Sequence, residues 1–270
     1  MKQQQSCGGI KMPEVSVIIP CYNHGIFIDD AVQSVLNQTY QDFEIIIVND
    51  GSTDEQTIRI LNGYSHPKIK VINMSNKGAS QARNTGIEKS SGKYILPLDA
   101  DDKIEKSYIE KSIRILNENQ KTGIVYCKAA FWGSRNGDWI LPEYSLSRIL
   151  IVNCIFVSAM YRKKDWETAG GYNAVMSYGY EDWDFWLSLI ENGAEVCRLP
   201  ETMFFYRQHE DLSRNANLIF NLSKSLFTCL QIFKNHKKLY FKNPSKIILL
   251  FGYHFYVWIR QIILQIIKIK

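Results

Sequence analysis

The segment Tyr94-Ile95-Leu96-Pro97-Leu98-Asp99-Ala100-Asp101-Asp102 joins a short apolar run to three carboxylates within four residues. The apolar run is typical of a buried strand, so the pattern places the carboxylates at a strand end. Such a cluster is costly to hold together unless a cation or hydrogen-bond donors compensate its charge. Hard oxygen ligands at this place suit Mg²⁺ or Mn²⁺ bridging to a substrate diphosphate. An isolated Asp-x-Asp-Asp is also typical of a solvated loop with helix N-cap carboxylates.

Strands and helices alternate along the first half of the chain. Apolar, β-branched runs predict strands at 15–20, 43–48, 69–72, 94–98 and 124–131. Apolar residues at helical spacing predict helices at 28–36, through Ile58 and Leu61, at 79–89 and at 108–119. This alternation predicts an α/β fold with a doubly wound, mostly parallel sheet. Ligands of such sheets bind outside the carboxyl ends of the strands, so Tyr22, Asp50 and Asp99 should converge on one crevice.

The pattern becomes less regular from Trp132 onward. The features predicted there are a hairpin or loop at 132–139, a strand at 156–161, a turn at Gly170-Gly171, an aromatic helix at 181–192, two short strands near Val196 and Phe204, and a helix at 218–233. They form a second region that abuts the sheet and is followed by C-terminal helices.

Composition narrows the class of protein. The 270 residues are 46% hydrophobic and 22% charged, which is ordinary for a globular protein, and the net charge of +5 does not argue for nucleic acid. Six scattered cysteines without a Cys-x-x-Cys pair favour neither a zinc site nor a disulfide scaffold, and indicate a reducing cytosol. Residues 1–12 lack the apolar core of a secretory signal and are expected to be a disordered lead-in. No Gly-x-Gly-x-x-Gly follows a strand, which counts against a nicotinamide enzyme.

The C-terminal segment leaves two interpretations open. Residues 247–259 carry no formal charge, but Arg260 interrupts the run well short of the roughly 20 residues that a spanning helix needs. His254, Gln261, Gln265 and Lys268 would share one helical face. The helix either packs on the domain or lies in a membrane interface, as a peripheral contact through residues 247–270.

Five motifs occur in a characteristic order and carry a family resemblance. They are Pro20-Cys21-Tyr22-Asn23, Asn49-Asp50-Gly51-Ser52-Thr53-Asp54, a glycine turn and arginine-bearing helix at 76–86, Asp99-Ala100-Asp101-Asp102, and Gly171-Tyr172 with Tyr180-Glu181-Asp182-Trp183 and the downstream Tyr206-Arg207-Gln208-His209. Over residues 13–214 the chain resembles the inverting GT-A glycosyltransferases of family 2. The resemblance implies a GT-A fold and transfer of a sugar from a nucleotide diphosphate donor to an acceptor hydroxyl.

The resemblance also implies functions for individual residues. Those expected to bind the nucleotide sugar are Pro20, Tyr22, Asp50, Arg83, Asp99 and Ala100, with Tyr22 and Asp50 at the nucleobase. Asp101 and His209 are expected at a divalent metal, Mg²⁺ or Mn²⁺, and Asp182 is expected to be the catalytic base, supported by Glu181 and Trp183. Because Asp182 would start a helix, the helix dipole is expected to keep it ionised.

Sugar transfer from a nucleotide diphosphate requires these residue types, independently of the resemblance. Departure of a nucleoside diphosphate releases negative charge that a divalent cation can neutralise. The acceptor hydroxyl is a poor nucleophile, so a carboxylate must take its proton, a contribution of about 10²–10⁴-fold. Inversion requires this base to lie across the sugar from the leaving group.

The expected function is metal-dependent transfer of one sugar, from a UDP-sugar to a cell-surface glycan or lipid-linked precursor. A Gln-x-x-Arg-Trp motif and several spanning helices, which mark processive synthases of the family, are absent from the sequence. The alternatives are an inactive nucleotide-sugar-binding subunit and a sugar nucleotidyltransferase. The resemblance divides the chain into a nucleotide-sugar-binding half at 13–131, an acceptor and catalytic half at 132–214, and C-terminal helices at 215–270. The expected location is the cytoplasm or the cytoplasmic face of the membrane.

Overall fold

The computed structural model describes residues 12–209 and 221–268, with side chains to residue 263. The strands are β1 (Val15–Cys21), β2 (Phe43–Asp50), β3 (Ile69–Met74), β4 (Tyr94–Pro97), β5 (Lys103–Ile104), β6 (Thr122–Gly133), β7 (Gly137–Trp139), β8 (Met160–Arg162) and β9 (Glu195–Gln208). The helices are α1 (Gly25–Leu36), α2 (Glu55–Asn62), α3 (Ala79–Glu88), α4 (Tyr108–Glu118), α5 (Leu146–Ile149), α6 (Lys163–Ala169), α7 (Glu181–Glu191), α8 (Leu222–Asn235), α9 (Lys237–Lys242) and α10 (Ser245–Lys268).

One sheet runs through the described chain in the order β3-β2-β1-β4-β8-β6-β9-β5, and β7 pairs with β6. Strands β3, β2, β1 and β4 are parallel, which confirms the predicted α/β fold. β8 runs antiparallel to β4 and β6, while β6 and β9 are parallel. The chain leaves β1 toward β2 on one side and returns to β4 on the other. The carboxyl ends of β1 and β4 therefore border the crevice where a ligand is expected.

Close packing of α3 on the sheet fixes the floor of this crevice. β1 and β2 are apolar on both faces, and Ile18 and Val48 are fully buried. A Cβ added to Gly86 of α3 would lie 2.5 Å from Cγ2 of Ile18 and 3.0 Å from Cγ2 of Val48. Glycine at this position lets α3 approach the strands, and α3 also carries Arg83.

Most strands and helices of the first half occur where the sequence predicts them, but two features of the second half differ. The two short strands expected near Val196 and Phe204 are one continuous strand, β9, whose register against β6 shifts around Pro200. A bulge accommodates a proline, which cannot donate to the ladder, without ending the strand. The strand expected at 156–161 shrinks to β8. The hairpin or loop expected at 132–139 is confirmed as the turn that joins β6 to the antiparallel β7.

Three predictions are not settled by the described residues. The disordered lead-in at 1–12 and the first residues of the helix expected at 218–233 lie almost wholly outside them. The predicted division between 13–131 and 132–214 stays a prediction, and β6 runs across it.

The C-terminal helices pack against α7. His236, between α8 and α9, lies 3.1 Å from Oδ1 of Asp184 and 3.2 Å from Oε2 of Glu191 on that helix. Burial opposes a charge on His236, but the two carboxylates outweigh it and raise its pKa. In α10, Leu250 and His254 are buried, so this side of the helix packs on the domain, which is one of the two alternatives that the sequence leaves open. Within 12–209 and 221–268, no helix is both long and apolar enough to cross a membrane.

Candidate active site

The ends of β1 and β2 are tied together by Asn23. Its backbone is left-handed, with φ of 55°, and its Oδ1 accepts hydrogen bonds from the amides of Thr53 (2.8 Å) and Asp54 (3.0 Å). The amide of Asn23 donates in turn to Oγ of Ser52 at 3.1 Å. Asparagine tolerates this backbone conformation better than most residues, which explains its use at the tip of a strand. The two strand ends therefore form one rigid rim.

The predicted nucleobase residues lie on this rim. Asp50, at the end of β2, is buried, and its two oxygens accept hydrogen bonds from the amides of Lys77 (2.8 Å) and Gly78 (2.9 Å). It therefore shapes the loop that leads into α3. Tyr22, just after β1, is 45% exposed, so its ring is free to stack on a ligand. Pro20 is half-buried and pairs with Val48 in the neighbouring strand.

The acidic turn after β4 sends its carboxylates in different directions. Asp101 faces the crevice, and its Oδ2 lies 2.7 Å from Nε2 of His209, which follows β9. His24 lies at 3.8 Å from the same oxygen. Ala100 is buried in the turn. Two sequence-predicted residues separated by 108 positions, Asp101 and His209, therefore meet as the sequence predicts.

Asp102 does not belong to the exposed cluster. Its side chain is 1% exposed; Oδ1 accepts from the Arg207 amide at 2.8 Å, and Oδ2 has no hydrogen-bond partner among the described residues. Burial, followed by the neighbouring charges of Asp101 and Asp99, raises the pKa of Asp102 well above its ordinary value. Only two of the three carboxylates that the sequence places together therefore face the crevice.

Arg83 connects the acidic turn to the later part of the chain. Its guanidinium is 3% exposed and donates to Oδ1 of Asp99 at 2.6 Å and to Oε1 of Glu181 at 2.9 Å. Burial disfavours the charge, but the two carboxylates outweigh it and raise the pKa of Arg83 above its ordinary value. The arginine is thus a charged bridge between the end of β4 and the start of α7.

Asp182 lies next to that bridge, in the first turn of α7. Its Oδ2 accepts from Nδ2 of Asn153 at 3.1 Å, and its Oδ1 accepts from the Trp183 amide at 2.8 Å. Burial, with Glu181 adding to it, raises the pKa of Asp182 to about 7. Desolvation therefore opposes the ionisation that the position at the start of a helix is expected to favour.

Trp183 supports this turn through packing. Its ring is fully buried, and its indole nitrogen donates to the carbonyl oxygen of Ile149 at 2.7 Å. Tyr180, which precedes α7, has a left-handed φ of 63° and follows Gly179 at φ of 119°. These two residues reverse the chain so that α7 begins at the crevice.

Comparison with known proteins identifies the family. The sequence matches the protein-family model described as Glycosyl transferase family 2 over residues 16–183. The chain belongs to glycosyltransferase family 2. This matched range contains the rim, the acidic turn, Arg83 and Asp182, whereas His209 lies beyond it.

Curated relatives of this family 2 chain are longer proteins. It is 32% identical over 191 residues to a chondroitin synthase of Escherichia coli, an alignment covering 68% of the chain and 27% of that protein. It is 31% identical over 215 residues to the uncharacterized glycosyltransferase EpsJ of Bacillus subtilis, covering 73% of the chain and 62% of that protein. The chain therefore spans about a quarter of the first relative and less than two thirds of the second.

Solved structures confirm the GT-A fold. The family 2 chain superposes on S. aureus TarS 1–349 in complex with UDP-GlcNAc with a TM-score of 0.70 and 19% identity, covering 90% of this chain and 72% of that one. It superposes on the mannosyltransferase PcManGT of Pyrobaculum calidifontis, solved with GDP-Man and Mn²⁺, with a TM-score of 0.60 and 18% identity, covering 89% and 74%.

Two side chains of the family 2 chain fit the protein ligands of a divalent cation whose other coordination positions are filled by substrate and water. The described residues contain no group of three or more His, Cys, Asp or Glu side chains arranged to hold a metal by themselves. Asp101 and His209 nevertheless present one carboxylate and one imidazole to the crevice, within contact of each other. Mg²⁺ is commonly bound by one or two carboxylates together with substrate phosphates and waters, so two protein ligands suffice.

Two further residues of the site have no assigned function in the sequence prediction. Asn153 holds the carboxylate of Asp182, and Arg207 donates from Nε to the carbonyl oxygen of Asp101 at 2.9 Å. Arg207 also lies 3.7 Å above the Trp132 ring, which orients its guanidinium. Arg207 stands inside a quoted motif and could have been found there. Asn153 lies in an irregular loop with no periodic signal.

Proposed function

We propose that this family 2 chain transfers one sugar from a UDP-sugar to an acceptor hydroxyl with inversion at the anomeric carbon. The observation that carries the proposal is the Arg83 bridge from Asp99 to Glu181, which ties the donor side of the crevice to the helix that bears Asp182. The bridge connects the acidic turn to the residue next to Asp182, whose carboxyl group has a pKa of about 7.

The donor would bind along the rim formed by β1, β2 and β4. Tyr22 would stack on the base, and Asp50 would accept from its imide N–H with the lone pairs that the Lys77 and Gly78 amides leave free. Pro20, Asp99 and Ala100 would line the ribose and diphosphate. Solved relatives of the same fold in complex with UDP and UDP-GlcNAc support a uridine donor.

A divalent cation, Mg²⁺ or Mn²⁺, would be held by Asp101 and His209. When bound, it neutralises charge on the departing diphosphate. The arrangement of Arg207 supports this assignment, because it donates to the carbonyl oxygen of Asp101 and its amide donates to Asp102. Both contacts hold the turn that carries Asp101.

Asp182 would act as the general base. Its carboxylate would take the proton from the acceptor hydroxyl while that oxygen attacks the anomeric carbon and the diphosphate leaves from the opposite face. Asn153 and the Trp183 amide fix the direction of the carboxylate. A pKa of about 7 is well matched to a base that works near neutral pH, because it is then both available and sufficiently basic.

The acceptor is proposed to be a cell-surface glycan or a lipid-linked precursor, and the site of action the cytoplasm or the cytoplasmic face of the membrane. The relative named chondroitin synthase supports a glycan acceptor.

The test is metal-dependent hydrolysis of UDP-sugars by the purified protein, with an acceptor panel to follow transfer. Asp182→Asn should retain donor binding while turnover falls by about 10²–10⁴-fold. Asp138→Asn, an exposed carboxylate on β7, is the matched control and should behave as the parent. Equal turnover of Asp182→Asn and the parent would contradict the assignment of the base.

The same assay separates the alternatives. Release of pyrophosphate from a nucleoside triphosphate and a sugar phosphate would identify a nucleotidyltransferase. Donor binding without turnover, in the presence of Mn²⁺ and across the acceptor panel, would identify a binding subunit.

A further inference from the structure

Helix α10 presents an exposed apolar face to solvent. We call this surface the outer face of α10; its members are Ile248, Leu249, Tyr253, Phe255, Tyr256, Ile259 and Ile263. Ile248 is 78% exposed and Tyr256 is 61% exposed. An isolated exposed leucine needs no explanation, but seven large apolar side chains on one helix form a patch of the kind that binds another surface.

The outer face of α10 is not needed to hold this helix on the domain. The opposite side of α10 already fixes the helix, because Leu250 and His254 are buried there. The His254 ring stacks on Trp183 with a centroid distance of 5.8 Å, and burial lowers its pKa to about 4, so it packs as a neutral ring. α10 is therefore held in place while the side chains of its outer face remain 37–78% exposed.

The C-terminal segment that carries the outer face has charges of a single sign. Residues 212–270 contain ten Lys or Arg and no Asp or Glu, whereas residues 1–211 contain 22 basic and 27 acidic residues. Along α10 itself, Lys246, Leu249, Tyr253, Tyr256 and Arg260 recur every three or four residues and form one row. Next to it, Ile248, Phe255, Ile259 and Ile263 form a second, fully apolar row.

We propose that the outer face of α10 docks on an anionic lipid surface. A row of isoleucine and phenylalanine bordered by tyrosine, lysine and arginine matches the layers of a membrane interface, where aromatic rings lie at the headgroups and basic side chains meet lipid phosphates. The excess of positive charge adds attraction to anionic lipids. Aliphatic side chains of this kind offer nothing to a nucleic-acid backbone. The helix lies in the surface, because its inner side is packed against α8 and α7.

This docking would bring the active site to the lipid surface, a step that rests on the proposed function. The inner side of α10 contacts Trp183, the residue after Asp182. A helix with its side chains is about 10–12 Å thick, so the lipid surface would lie about one helix away from this turn. The acceptor class favoured by this arrangement is a lipid-linked precursor whose tail remains in the membrane.

Sedimentation of the full chain with vesicles tests the proposal. The parent should bind vesicles of phosphatidylcholine with phosphatidylglycerol, bind those of phosphatidylcholine alone weakly, and lose affinity as salt is raised. Phe255→Ser with Ile259→Ser should reduce the partition coefficient by at least about tenfold. The matched control is Ile26→Ser with Ile140→Ser, two exposed isoleucines elsewhere, and it should bind as the parent.

Reversal of two positive charges on α10 is a second, independent test of vesicle binding. Lys246→Glu with Arg260→Glu should weaken binding to anionic vesicles by about fivefold or more for each residue. Lys70→Glu with Lys128→Glu, exposed on β3 and β6, changes net charge equally and should have a much smaller effect. Hydrolysis of the donor without vesicles should be the same in all four variants, so a failure of docking is distinguishable from a failure of the proposed function.

Three results would overturn the proposal. The first is a parent protein that does not bind anionic vesicles. The second is equal binding by the outer-face variants and their controls. The third is a dimer in sedimentation velocity that Phe255→Ser with Ile259→Ser dissociates, without vesicle binding, because a second copy of the chain would then cover the face.

Discussion

Replacement of Arg83 by methionine tests the bridge on which the site depends. Methionine keeps much of the side-chain volume but removes the charge, so Asp99 and Glu181 lose their common partner. Breaking a buried ion pair by removing one partner costs about 3–5 kcal/mol. The Asp99 side chain is 32% exposed and water can replace its lost bond, whereas that of Glu181 is 11% exposed. We therefore expect a loss near the lower limit, about 3 kcal/mol.

Urea unfolding measures this loss, and a double variant locates its cause. Arg83→Met with Glu181→Gln should recover about 1–2 kcal/mol relative to Arg83→Met alone, because the unpaired buried carboxylate causes most of the damage. Arg114→Met removes an exposed arginine paired with Glu118 and should leave the unfolding midpoint unchanged. A loss below about 1 kcal/mol for Arg83→Met, or a double variant less stable than either single variant, would refute the reasoning.

Four other predictions concern the site and its support. Asp101→Ala should weaken UDP-sugar binding by calorimetry in Mn²⁺ but leave binding in chelator unchanged; equal weakening in both would contradict metal ligation. The kcat/KM of the parent should rise with pH around an apparent pKa of about 7, since the base works deprotonated. Asn153→Ala removes a bond that favours the ionised form, so it should move that midpoint upward, and a downward shift would be inconsistent with the contact. Gly86→Ala should cost about 1–3 kcal/mol in urea unfolding, and a neutral effect would show that α3 can move away from Ile18.

The parallel half of the sheet could be predicted because its signals are local. β1 and β2 are apolar along nearly their whole length, as strands covered on both faces must be, and turn residues follow each strand. The convergence of Asn23 and Asp54 follows from parallel pairing, which brings the carboxyl ends of neighbouring strands to one edge. The proximity of Asp101 and His209 could be predicted only from the family resemblance, because no local sequence pattern links the two residues.

The remaining features depend on which side of an element faces the protein, and this is decided by packing partners far away in sequence. Asp102 and Asp101 are neighbours in an acidic run, but the amide of Arg207 draws Asp102 inward while Asp101 stays in the crevice. His254 is polar, and its position on the helix does not say which way it faces, but the Trp183 ring offers it a flat apolar surface inside the protein. Because His254 turns inward, the isoleucines and tyrosines of α10 are left outside, and their exposure is the basis for the proposed lipid surface.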